Sequence, residues 1–152
     1  MSLFETTIAA KSRSVETSDA IIESLYDDRT DTVEIDGVYY RPHPNGGGLV
    51  AVTAFVGADV FVETTAMVKD YAIVLDSVRI CDRAVVAGNA LVTERCWITH
   101  NSRVDGSALL EGSVTIRHQS IVGGTARLEG PVRVHHCARI FGGHLIGPLY
   151  VE

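Results

Sequence analysis

Aliphatic residues recur at every sixth position through most of this chain. Stepping by six from Val50 reads Val50, Val56, Val62, Val68, Val74, Ile80, Val86, Val92, Ile98, Val104, Leu110, Ile116, Val122, Leu128, Val134, Ile140 and Ile146. All seventeen are Val, Ile or Leu, although those types make up only 41 of the 152 residues. Unpatterned placement would give such a run with odds on the order of 10⁻¹⁰, so the period is a property of the fold. A second register lies four residues after each of these: Ala54, Val60, Ala66, Ala72, Val78, Ala84, Ala90, Cys96, Ser102, Ala108, Val114, Ser120, Ala126, Val132, Ala138, His144 and Tyr150. Fifteen of the seventeen are small or Val. A small residue two places before a large aliphatic shares its side of a strand. The two positions between registers face a corner, and Gly88, Gly106, Gly112, Gly124, Gly130, Gly142 and Gly143 fall there, with Pro131 and Pro148, as turn residues should. Short strand, corner, short strand, with one buried side, describes a parallel β-helix. His144 and Tyr150 are expected to point inward and plug its C-terminal end, and Cys96 to be a core residue.

Residues 1–49 do not follow the period. They predict a short α/β cap or arm: Ser18 caps a helix over Asp19–Tyr26, and strands Thr32–Ile35 and Val38–Arg41 flank the two-residue turn Asp36-Gly37. Pro42 to Gly48 reads as a loop leading into the first coil of residues 50–152. This segment either covers the open N-terminal end of the solenoid or reaches a neighbouring subunit.

Composition narrows the function classes. Net charge is −6, and nine acidic against four basic residues put most of it in the first 49 positions; this argues against a nucleic-acid partner. No run of about 18 apolar residues exists, so no membrane span is expected. The N-terminus lacks a signal peptide's apolar stretch, so the expected location is cytoplasmic. Cys81, Cys96 and Cys137 are scattered and match neither a disulfide framework nor a spaced zinc site.

The pattern resembles the hexapeptide-repeat family over Val50 to Val151. The resemblance implies a left-handed β-helix of triangular section, eighteen residues to a coil, most often assembled as a homotrimer. Outward residues eighteen apart then stack on one face. One face reads Phe55, Ile73, Leu91, Leu109, Arg127 and Leu145; a second reads Phe61, Arg79, Trp97, Thr115, Arg133 and Val151; a third reads Met67, Val85, Arg103, Ile121 and Arg139. The first is an apolar stripe, to be covered by the N-terminal segment or by another subunit.

One corner carries candidate chemistry. His100, His118 and His136 are spaced by eighteen, with Asp82 one coil earlier. Such residues form a ladder on one edge. Stacking without chemistry is one reading, since corners favour polar residues. General-base catalysis is a second: a histidine oriented by a carboxylate deprotonates an amine or hydroxyl. Ile98-Thr99-His100-Asn101-Ser102 resembles the Ile-Ala-His-Asn/Asp segment of the lipid A acyltransferases of the hexapeptide group. That resemblance implies His100 as the base, with His118 as a substitute and Asp82 or Asn101 orienting the ring. It implies acyl-coenzyme A or an acyl carrier protein as donor, with Arg127, Arg133 and Arg139 as candidate phosphate contacts and a small-molecule acceptor. A metal is a third reading. The γ-class carbonic anhydrases share the architecture and pair histidines five apart, whereas Asp105, Gly123 and Phe141 stand five after the three ladder histidines here; no metal site is expected. The fourth is a docking edge for a protein partner. A non-catalytic binding, inhibitor or scaffold protein, acting through its faces and acidic N-terminal segment, is therefore the rival to an acyl- or acetyltransferase.

Overall fold

The computed structural model describes residues 32–152; the helix expected over 19–26 lies outside the described residues. Within them the chain is all β. Twenty short strands assemble into one sheet of eight and two sheets of six, and Val33–Glu152 form one compact unit. The coils stack in parallel. Val86 lies opposite Val104, Leu91 opposite Leu109 and Ile98 opposite Ile116, each pair eighteen residues apart. This agrees with the left-handed β-helix that the sequence resembles. No helix among the described residues is long and apolar enough to cross a membrane.

The backbone explains the pitch. Arg79 N donates to Cys96 O at 3.0 Å, Thr99 N to Ile116 O at 2.9 Å and Asp105 N to Val122 O at 2.9 Å. The same bond repeats on all three faces, so every coil is held to the next by its main chain. Both inward registers are sealed: Val62, Val74, Ile98, Leu110 and Ile116, and the small Ala72, Ala84 and Ala126, are all 0% exposed. Small residues occupy one register because three strands converge on a narrow axis and only alternating sizes fill it.

At the N-terminal end the expected hairpin forms. Val33–Ile35 pairs antiparallel with Val38–Pro42, and the latter pairs antiparallel with Leu49–Ala51, the first of the parallel strands of the eight-stranded sheet. The loop between those last two strands covers another edge. His43 Nε2 lies 2.8 Å from Val60 O, and Asn45 O accepts from Val62 N at 3.0 Å.

The C-terminal coil departs from the six-residue count. Arg127 pairs with His144 and Val134 with Val151, so the spacing there is seventeen. Phe141–Gly143 makes a shortened corner, in which Thr125 N donates to Phe141 O and Arg127 N to Gly143 O, with Gly143 at φ 86°. A one-residue slip exchanges the two sides of a strand. Leu145 and Val151, expected outward, therefore pack on the core. Ile146 is exposed, and His144 and Tyr150, expected to plug the core, point to solvent.

Each corner takes a residue in the left-handed region. Gly88, Gly106 and Gly124 stack at one of them with φ of 66°, 63° and 58°. A Cβ on Gly106 would lie 2.5 Å from Gly124 N and 2.8 Å from Gly124 O. Gly106→Ala is expected to destabilise the chain by about 1–3 kcal/mol. A urea titration should show a lower midpoint and an unchanged slope.

Candidate functional site

The three corners share one capping device. Asp70 Oδ2 accepts from Gly88 N at 2.9 Å, Asp76 Oδ2 from Glu94 N at 3.1 Å and Asp82 Oδ2 from His100 N at 3.3 Å. Each carboxylate stands in the left-handed region and satisfies the amide one coil above it. Asp82 is therefore first a structural cap. It also takes the hydroxyl of the buried Thr99, at 2.5 Å. That hydroxyl, then the His100 amide and the His100 charge, hold the Asp82 carboxyl below its ordinary value.

Above Asp82 the histidine corner differs from the other two. His100-Asn101, His118-Gln119 and His136-Cys137 each place two successive residues in the left-handed region, where the rungs of the other corners place one. The extra turn redirects the main chain. Gln119 N donates back to His100 O, and Cys137 N back to His118 O, both at 2.9 Å. At the glycine corner the bond runs the other way, as from Asn89 N to Gly106 O at 2.7 Å.

The rings form the expected ladder. The His100 and His118 centroids are 4.9 Å apart and tilted by 42°; those of His118 and His136 are 5.5 Å apart and stacked at 19°. An open trough of about 880 Å³ runs along this edge. Glu63 and Thr65 line its first rung, and then the pairs Asp82–Arg83, His100–Asn101, His118–Gln119 and His136–Cys137. His100 Nδ1 lies 3.8 Å from Asp82 Oδ2, a charge contact too long for a hydrogen bond. Asn101 Oδ1 accepts from Arg83 Nε at 3.3 Å, so it holds an arginine rather than the ring. His136 Nδ1 stands 3.4 Å from Glu152.

The four residues His100, His118, Asp82 and Asn101 thus line one trough. The arginines do not. Arg127 is paired with Glu129 at 3.0 Å and Glu111 at 3.5 Å, and Arg127, Arg133 and Arg139 belong to three different sheets. Among the described residues no group of three or more His, Cys, Asp or Glu is placed to hold a metal ion. Burial pushes the Cys96 thiol up to about 12, which removes it as a nucleophile at neutral pH.

A second set of residues was less legible. His135 is buried beside the ladder, with its ring edge-on to His118 and its Nδ1 3.0 Å from the Tyr150 hydroxyl. The spacing of eighteen from Thr99 through Arg117 to His135 was the available signal, and the shortened last coil is what brings Tyr150 over it.

Comparison of this chain with protein families, with curated proteins and with solved structures finds no match.

Burial lowers the pKa of both His118 and His135, and the Arg117 charge adds to it, followed by the neighbouring imidazoles. Between the ordinary histidine value of 6.5 and these lower folded values, the unfolded chain binds more protons than the folded one. Their contribution to stability is fully present above about pH 6.5 and is lost as the pH drops through that window. The Asp82 contribution is lost in a separate, more acidic window, below the ordinary carboxylate value. Urea midpoints measured against pH should decline on acidification below about 6.5, and His135→Gln should flatten that decline.

Proposed function

We propose that this chain is an acyl- or acetyltransferase of the hexapeptide-repeat kind, with His100 as its general base. The observation that carries the reading is the Asp82–His100 contact inside the trough. Asp82 is held by Thr99 and by the His100 amide, so its charge is fixed beside Nδ1. Nε2 then takes the proton of an acceptor hydroxyl or amine, and Asp82 stabilises the imidazolium that forms.

The acceptor oxygen or nitrogen attacks the thioester carbonyl of the donor, acyl-coenzyme A or an acylated carrier protein. The new C–O or C–N bond forms, the C–S bond breaks, and His100 returns its proton to the departing thiolate. The Gln119 and Cys137 amides are already bonded to the coil below, so the oxyanion is met by other backbone amides, at the glycine-bearing corners of an adjoining subunit. In this reading the site lies at a subunit junction. The arginines of one subunit lie on three sheets, so the donor's phosphates are gathered by more than one chain.

The assembly in this reading is a homotrimer that covers the apolar face. Phe55 is 59% exposed and Ile73 41%, with Leu91 and Leu109 half-buried in line with them. A stripe of that length favours association. Ile73→Glu is expected to shift the mass measured by light scattering from trimer to monomer.

A non-catalytic binding module is the second reading. It is favoured by coils that run from Val50 to Ile140 without an inserted loop to enclose a substrate.

Two measurements separate the readings. His100→Ala is expected to lower acyl transfer by about 10²–10⁴-fold while the thermal midpoint stays near that of the unaltered chain. Full activity in that variant removes His100 as the base. Coenzyme A at about a hundred times its dissociation constant should stabilise the folded chain by about 2.7 kcal/mol in a thermal-shift assay. If neither coenzyme A nor an acylated carrier protein shifts the midpoint, the binding module is the function.

A further inference from the structure

Three buried side-chain nitrogens beside the ladder have no hydrogen-bond partner: Arg117 Nε, His118 Nδ1 and His135 Nε2. Among the described residues the only other such atom is the Ser102 hydroxyl, which belongs to the small inward register. Leaving a buried donor unpaired is costly, and native structures do it sparingly. A concentration of three needs a physical account.

The coil register gathers them. Ile116 lies opposite Val134, and Arg117 N donates to Val134 O at 3.0 Å, so Arg117 and His135 occupy successive rungs. His118 follows Arg117 in the chain. Its ring meets His135 at 79°, with centroids 5.6 Å apart. His135 is only 8% exposed.

The chemistry of the three atoms has one sign. Arg117 Nε can only donate. Tyr150 stands 3.0 Å from His135 Nδ1; with its hydroxyl donating there, the ring proton sits on Nε2, which is then a donor. His118 Nδ1 donates in its own tautomer or as the imidazolium. A metal ion in the same place would be repelled by the Arg117 guanidinium. The complement of this group is an acceptor that carries negative charge.

We propose that Arg117, His118 and His135 form a binding site for a small oxyanion, the phosphate or carboxylate end of a ligand. Arg117 Nε, His118 Nδ1 and His135 Nε2 are its donors. Charge-assisted hydrogen bonds of this kind are about twice as strong as neutral ones, which is what offsets the desolvation of the ion. Arg133 adds a second positive charge near His135. The ion enters by rotation of side chains, since Arg117 is half-buried and Tyr150 exposed, and the coils stay in place. Burial first and the Arg117 charge second lower the pKa of both imidazoles, and that charge is the one an anion would neutralise. The site does not depend on His100 or on acyl transfer.

The test follows the imidazole nitrogens of the full chain by NMR, titrated with inorganic phosphate and, separately, with acetate. Saturable shifts at His118 and His135, with His43 and His144 unmoved, are expected. The ion that binds more tightly identifies which group of a ligand the site takes. Arg117→Met should weaken binding by about tenfold or more. The titration of the unaltered chain stands whether or not that variant folds. Shifts that grow linearly with concentration, shifts shared by all six histidines, or undiminished affinity in a folded Arg117→Met chain would overturn the proposal.

Discussion

The main-chain bond from strand residues to the carbonyl seventeen positions on, repeated coil after coil, governs this molecule. It repeats on three faces and binds every coil to its neighbour about 4.8 Å away. A chain laid down this way has little freedom in what it stacks. Whatever occupies one position in a coil lies above whatever occupied it one coil earlier. Burial follows from the same constraint, because the two inward registers are carried onto the axis in coil after coil. So does surface chemistry, because a histidine repeated every eighteen residues becomes a column of imidazoles at ring-contact distance.

Corners are where that constraint is relieved, and they differ in how. A glycine column at one corner lets backbones approach without a Cβ between them. Carboxylates at all three corners take the amide of the rung above. The histidine corner alone turns two residues at each of its ladder rungs, and its paired side chains line the trough. The same geometry serves stability and chemistry there. Asp82 caps a coil and faces an imidazole with one oxygen, Oδ2. Substituting it would disturb both, so an activity change at Asp82 alone would not separate the two roles.

The fold was legible because its signal is a count. Seventeen aliphatics in register leave little else to propose, and the Asp36-Gly37 hairpin was readable from turn chemistry alone. The count misled only where it slipped. Gly142 and Gly143 permit a corner one residue shorter, and a strict six-residue step carries on through it unaware. His144, Ile146 and Tyr150 were thereby assigned to the core and Leu145 and Val151 to the surface. The ladder at His100, His118 and His136 was legible for the same reason as the fold. The pairing of His135 with Tyr150 was not, since it depends on the slip.

The slip also ties the two candidate sites together. With an unbroken period, Tyr150 would point inward and His135 would keep Nδ1 without its phenol. The shortened corner instead delivers the hydroxyl to that nitrogen and leaves Nε2 buried without a partner. One deleted position in the repeat thus sets a phenol over the imidazole that stands beside the Arg117 rung. His118 belongs to both sites, stacked on His100 and His136 in the trough and edge-on to His135 on its flank. An anion held by the flank would raise the proton affinity of His118, a ring that also lines the trough, so occupancy of the flank would change the charge beside the trough.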